Sequence, residues 1–208
     1  MLNKKEANGI RFLEYIPDGA EGKKLPVLVY FHGAGERGDD LDLVLIHGPI
    51  KSVQAGHVRD EFIMLSPQCE ENKSWWDYSE RLYAWLSEYV QNPFVDEKRV
   101  YLTGNSMGGY GTWAFAMAHP ELFAAIVPVC GGGMSWYVGR LEHTPVWAFH
   151  CVSDGAVPCE ATIDMVSRLK QVSQSDVRLT IYPYHAHDAW TETYKNQAVY
   201  DWLLSKTL

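Results

Sequence analysis

Arg99-Val-Tyr-Leu-Thr-Gly-Asn-Ser-Met-Gly-Gly-Tyr-Gly-Thr-Trp113 decides how the rest of the chain reads. Arg99 to Thr103 is strand-like, and Tyr110 to His119 has helical periodicity. Between them Gly104-Asn-Ser-Met-Gly108 is G-x-S-x-G in the strand–turn–helix setting that gives the pattern its meaning. The glycines two places either side of Ser106 let strand and helix close on a sharp turn that carries the hydroxyl at its tip. Ser106 is therefore the candidate nucleophile. The helix that follows brings positive dipole to the same spot, and the N–H of Met107 is the expected donor to a developing oxyanion.

Outward from this turn, apolar β-rich runs alternate with longer amphipathic segments. Leu25 to His32 is almost continuously apolar, as a strand buried on both faces must be. Phe62 to Ser66, Ala124 to Val129 and Pro145 to His150 repeat that signature, while Val177 to Tyr182 alternates and reads as a strand nearer a sheet edge. Ser79 to Gln91, Cys159 to Val172 and Ala189 to Ser205 carry helical periodicity, and Gly9 to Pro17 reads as an added antiparallel strand. This order predicts an α/β fold with a mostly parallel sheet and helices on both faces. With no repeat, linker or low-complexity tract, residues 1–208 read as one domain. Little chain is left over for a separate lid, so the site is expected to be open.

Composition excludes several classes of function. The 208 residues are 47% apolar and 21% charged, the balance of a folded globular protein. A formal charge of −8 argues against nucleic acid or an anionic membrane as partner. No apolar run approaches the ~20 residues of a membrane span. The basic start, Met1-Leu-Asn-Lys-Lys-Glu6, lacks the apolar stretch of a signal peptide, and Cys69, Cys130, Cys151 and Cys159 have no metal-site spacing. The expectation is four free thiols and a cytoplasmic location. A homo-oligomer is allowed but not indicated.

A nucleophilic serine needs a base and an acid, and after this kind of turn they follow in the order Asp or Glu, then His. Asp154 lies just past the late strand Pro145 to His150, in Cys151-Val-Ser-Asp-Gly-Ala-Val-Pro158. The loop after the last strand, Tyr184-His-Ala-His-Asp-Ala-Trp190, offers both His185 and His187. His47, His57, His119, His143 and His150 are read as surface or helix-end residues.

Gly104 to Trp113 resembles the nucleophile turn of α/β-hydrolase esterases. It is closest to the predicted-peptidase and polyhydroxybutyrate-depolymerase-like group, which is related to feruloyl esterases. Tyr30-Phe-His-Gly-Ala-Gly-Glu-Arg-Gly-Asp39, Ser66-Pro-Gln-Cys69 with Trp75-Trp76, and His187-Asp-Ala-Trp190 carry the same resemblance, which extends from Tyr15 to the last helix. It implies an α/β-hydrolase fold and a serine carboxylic-ester hydrolase working through an acyl-enzyme, with peptidase or acyltransferase action as alternatives. The group's His-Asp-x-Trp pattern falls on His187 as base, its Asp before Val-Pro on Asp154, and the residue after His-Gly on Ala34 as second oxyanion donor. His32 then braces that loop, and Glu36 and Arg37 pair or hold it. Trp76 and Trp136 stand near the strand ends, where they either pack or stack on a phenolic or sugar group. The expected ligand is a small ester, with no cofactor and no metal. His185-x-His187-Asp188 has only a fragment of a metal-ligand set and would leave Ser106 unexplained.

Overall fold

Two alternating sets of side chains on one strand set the layering. In β3 (Leu25–Phe31), Val27, Val29 and Phe31 face one hydrophobic cluster while Leu28 and Tyr30 face the other, because successive side chains leave a strand on opposite sides. A computed structural model describes residues 1–208, and in it β3 is the fourth of eight strands in a single sheet.

The other strands are β1 (Leu2–Ala7), β2 (Ile10–Tyr15), β4 (Ile63–Pro67), β5 (Val95–Asn105), β6 (Ala125–Val129), β7 (Val146–Cys151) and β8 (Val177–Tyr182). Their order across the sheet is β1-β2-β4-β3-β5-β6-β7-β8. β2 pairs antiparallel with β1 and β4, and every pairing from β4 through β3 to β8 is parallel.

The first cluster is covered by α2 (Ser79–Tyr89), α3 (Met107–Ala118) and α4 (Cys159–Val172), which contribute Trp85, Trp113 and Met165 among others. The second is covered by α1 (Gly48–Gln54), α5 (Trp190–Lys195) and α6 (Gln197–Leu204), with Ile50, Tyr194 and Tyr200. Each such fully buried aliphatic or aromatic side chain contributes roughly 1.5–3 kcal/mol by leaving water. All four cysteines are buried free thiols, and no helix is long and apolar enough to cross a membrane.

The expected parallel core strands and the edge position of Val177–Tyr182 stand as read. Three elements depart from expectation. β1 was not foreseen, nor was α1, and the single last helix is two. Asn196 interrupts it with extended backbone, and its side chain accepts from the Ala198 N–H to cap α6.

Candidate active site

Ser106 sits between β5 and α3 at φ 55°, ψ −118°, a left-handed conformation that a side chain tolerates at a cost of roughly 1–3 kcal/mol. Its neighbours hold it there. Its N–H donates to the Val129 carbonyl at 2.9 Å, and its own carbonyl accepts from the Tyr110 N–H at 3.1 Å. A Cβ on Gly104 would stand 2.4 Å from the Gly108 carbonyl oxygen, so this glycine of the turn is a packing necessity.

Ser106 Oγ lies 2.8 Å from His187 Nε2, and His187 Nδ1 lies 2.6 Å from Asp154 Oδ2. A carboxylate only accepts, so Nδ1 carries the ring proton and Nε2 is left bare to receive the serine hydroxyl. The Asp154 side chain is fully buried, and its Oδ1 accepts the N–H groups of Ala156 at 2.8 Å and Val157 at 2.9 Å. Burial pushes the Asp154 carboxyl up, but the bonds from His187, Val157 and Ala156 outweigh it and hold the group below its ordinary value. The His187 side chain is 26% exposed, open enough to meet a ligand. Its ring meets the Trp190 ring edge-on at 5.1 Å.

The neighbouring candidates stand apart. His185 is exposed and makes no hydrogen bond. Asp188 accepts from the N–H and hydroxyl of Thr191 at the start of α5 and bonds no imidazole.

The two N–H groups expected to hold an oxyanion have no acceptors in their own elements. Met107 opens α3 and Ala34 opens a 3₁₀ turn over Ala34–Glu36, and the first N–H groups of a helix have no partner within it. His32, just before that turn, is fully buried. Its Nδ1 donates to the Gly33 carbonyl at 2.5 Å and its Nε2 accepts from the Cys69 N–H at 2.9 Å. This is the neutral ring, and burial lowers its pKa to about 4. The Trp75 indole N–H donates to the His32 carbonyl at 3.0 Å, completing the brace. Glu36 and Arg37 do not pair with each other. Glu36 is buried under the turn, 3.7 Å from His47 Nε2, and burial raises its carboxyl. Arg37 Nη2 rests 2.9 Å from Met107 Sδ, so Arg37 lies against the residue after Ser106.

Of the tryptophans singled out from sequence, Trp75 and Trp113 are core, whereas Trp76 is 56% and Trp136 82% exposed. Clefts of about 480 and 510 Å³ open on other parts of the surface and include none of Ser106, His187 or Asp154.

One expectation is corrected. His150 is neither a surface nor a helix-end residue. It is fully buried on β7, with Nε2 3.2 Å from Asp154 Oδ2. With Cys130 Sγ, these groups lie within 4.8 Å of one another, the one such cluster close enough to share a metal ion. The donor set fits a metal poorly. Asp154 Oδ2 is held by His187, both His150 nitrogens have protein partners, and burial raises the Cys130 thiol above its ordinary value, against the thiolate that a metal requires.

Comparison with known proteins agrees with this architecture. The model of the prolyl oligopeptidase family matches residues 69–137, the stretch that holds α2, β5 and the Ser106 turn. Poly(3-hydroxyalkanoate) depolymerase C of Paucimonas lemoignei is 27% identical over 106 residues, 51% of this chain and 24% of that protein. Acetylxylan esterase A of Talaromyces purpureogenus is 23% identical over 141 residues, 60% of this chain and 36% of that protein. The solved structure of a thermostable esterase superposes with a TM-score of 0.80 at 32% identity, covering 100% of this chain and 62% of that one. The matched region thus spans between a quarter and two thirds of these relatives' lengths. Its sheet, its helices on both faces and these likenesses give the chain the α/β-hydrolase fold.

Proposed function

We propose that the protein is a serine carboxylic-ester hydrolase in which Ser106, His187 and Asp154 form the catalytic triad. The observation that carries the proposal is the unbroken chain from Ser106 Oγ to His187 Nε2 at 2.8 Å and from His187 Nδ1 to Asp154 Oδ2 at 2.6 Å, with the serine on a strained turn. Structural serines rarely warrant that strain, and three separate loops converge to make the relay.

In this reading His187 Nε2 takes the Ser106 proton as Oγ attacks the ester carbonyl. The tetrahedral oxyanion is held by the N–H groups of Met107 and Ala34, aided by the positive end of α3. His187⁺ then gives its proton to the departing alkoxide, which leaves as alcohol, and the acyl group stays on Ser106. Water, deprotonated by the same ring, attacks the acyl-enzyme; the carboxylic acid departs and Ser106 regains its proton. Asp154 keeps the imidazole in the productive tautomer and stabilises its cationic form. These steps use only the chain's own groups and no cofactor.

The expected substrates are short-chain, aryl or sugar esters. The partial exposure of His187 and the exposed Trp76 and Trp136 fit small esters with a flat or sugar-like group. Names of relatives that act on polyester and acetylated xylan point the same way. Peptidase action is the second reading, favoured by the prolyl oligopeptidase family match; an acyltransferase with the same triad would differ only in its acceptor. Four buried free thiols fit a reducing compartment such as the cytoplasm.

A fluorophosphonate probe should label Ser106, as mapped by mass spectrometry, and p-nitrophenyl acetate should be hydrolysed. Labelling at another residue, or full turnover by Ser106→Ala, would refute the assignment.

A further inference from the structure

His150 is a buried titratable group beside the proposed triad that the mechanism above does not use. Its environment fixes its charge by counting protons. Nε2 faces two groups that can only accept, the Val157 carbonyl at 3.0 Å and Asp154 Oδ2 at 3.2 Å, so Nε2 must carry a proton. Nδ1 lies 2.7 Å from Thr162 Oγ1. The Thr162 hydroxyl has a single proton, and its oxygen lies 2.6 Å from the Gly131 carbonyl oxygen. Two oxygens at that separation repel unless the proton lies between them, so Thr162 donates to Gly131 and has none left for the ring. Nδ1 must therefore donate as well. A ring that donates from both nitrogens is an imidazolium.

The charge has its counter-ion at hand. Asp154 and His150 are both fully buried, and an isolated buried cation would be too costly to keep. The carboxylate accepts two backbone N–H groups on Oδ1 and the His187 ring on Oδ2, and His150 Nε2 stands 3.2 Å from Oδ2. The other titratable groups around His150 and Asp154 are the Tyr110 phenol on α3 and the thiols of Cys130, at the end of β6, Cys151, next to His150 on β7, and Cys159, at the start of α4. Burial raises all four, so they stay neutral and leave the balance to Asp154.

We propose that His150, held as an imidazolium by Thr162 and Val157, is a positioning residue that shares the Asp154 carboxylate with His187 and moderates the hold of that carboxylate on the catalytic proton. The proposal rests on the triad reading given above. Its consequence has a definite sign. A cation on Asp154 opposes protonation of His187, keeping Nε2 bare for Ser106 to lower pH. His187 bonds this oxygen and His150 stands 3.2 Å from it, so the two charges stand within about 6 Å, where an effective dielectric near 20 makes their interaction worth about one to two pH units. Thr162 thereby acts at a distance from the nucleophile, through a hydroxyl that donates to Gly131 and leaves Nδ1 protonated.

Two measurements test it. In ¹⁵N-histidine-labelled protein at pH 7.5, with His150 assigned by comparison with His150→Gln, both His150 ring nitrogens should show as protonated; a bare nitrogen would overturn the proposal. This spectrum can be taken on Ser106→Ala, so it stands or falls independently of esterase activity. In the second measurement, His150→Gln removes the charge but keeps an amide donor. The acid limb of its kcat/KM profile on p-nitrophenyl acetate should move up by about one to two pH units. A lower kcat with the limb unmoved would mean that His150 only packs, and would overturn the proposal even where the nucleophile assignment holds. If His150→Gln fails to fold, Thr162→Val offers the second route. It removes the hydroxyl that Nδ1 donates to, and it should likewise raise the limb.

Discussion

Gly108 lies so close to Phe31 that a Cβ built on it would stand 1.9 Å from the Phe31 carbonyl oxygen. The first turn of α3 is thus pressed directly on the end of β3, and that contact fixes the turn that carries Ser106. Gly108→Ala cannot be absorbed by a side-chain rotation, because both partners are backbone. The expected outcome is a loss of about 2 kcal/mol or more, read as a fall in the urea midpoint, with turnover falling further than stability as the turn shifts. A variant of unchanged stability and activity would show that α3 is not held by this contact.

His32 gives a stability prediction with a sign. Its folded pKa is lowered to about 4 by burial, against ~6.5 in the unfolded chain. The unfolded state therefore takes up the proton first, and the stability that the neutral ring contributes is present in full above pH 6.5 and is lost as pH falls towards 4. Between pH 6.5 and 5, before most carboxylates titrate, the unfolding free energy should drop by about 1.5 kcal/mol. Urea melts at half-unit pH steps check this, and a flat curve over that window would mean the ring charges inside the fold.

Much of this fold was legible because doubly buried strands announce themselves. Leu25–Phe31, Ile63–Pro67 and Val146–Cys151 carry apolar residues on both faces. β1 did not, because an edge strand of Leu2-Asn-Lys-Lys-Glu-Ala7 has no apolar face to display. A signal was present all the same. Asn8-Gly9 joins β1 to β2 with φ of 53° and 68°, and Asn-Gly is the commonest two-residue hairpin turn. α1 is only seven residues long, too short for periodicity to show.

The candidate site was legible where chemistry is local to a motif, as at Ser106, and where a loop holds few titratable groups, as at Asp154. His150 is buried rather than at the surface or a helix end. Its place in the apolar run Val146-Trp-Ala-Phe-His-Cys151 implies burial, and a buried histidine must find partners. The contact between Arg37 and Met107 depends on tertiary placement of two loops and left no trace in sequence.

Substrate length offers a third test. Ser106 is half-buried, and the clefts of about 480 and 510 Å³ are lined by other residues, which favours short acyl groups. Acetyl and butyryl p-nitrophenyl esters should be preferred to longer ones, and the rate should not jump at the micellar threshold of the substrate. Efficient turnover of long-chain triglyceride with such a jump would show that the loops around Leu41–Leu45 or Ser135–Leu141 rearrange to make a channel.

The final prediction separates the two histidines and the acid. His187 bonds both Ser106 and Asp154, whereas the exposed His185 bonds nothing. His187→Ala should therefore abolish turnover while leaving the urea midpoint nearly unchanged, since that side chain is part-exposed. His185→Ala should retain most activity. Asp154→Asn is the informative case, because Oδ2 accepts from His187 Nδ1 while Oδ1 accepts from two backbone N–H groups. An amide can keep its oxygen on the backbone pair only by turning its NH₂ towards His187, which favours the tautomer with the proton on Nε2. That ring can no longer accept from Ser106, and kcat should fall on the order of 10⁴-fold, the figure known for the equivalent change in a serine protease. The same NH₂ would face the Nε2–H of His150, donor against donor, so Asp154→Asn should also lose stability by about 1–3 kcal/mol. Circular dichroism and urea melts on the three variants, beside kcat and KM, separate the two effects. Wild-type turnover by Asp154→Asn, or loss of turnover in His185→Ala alone, would move the acid or the base to another residue.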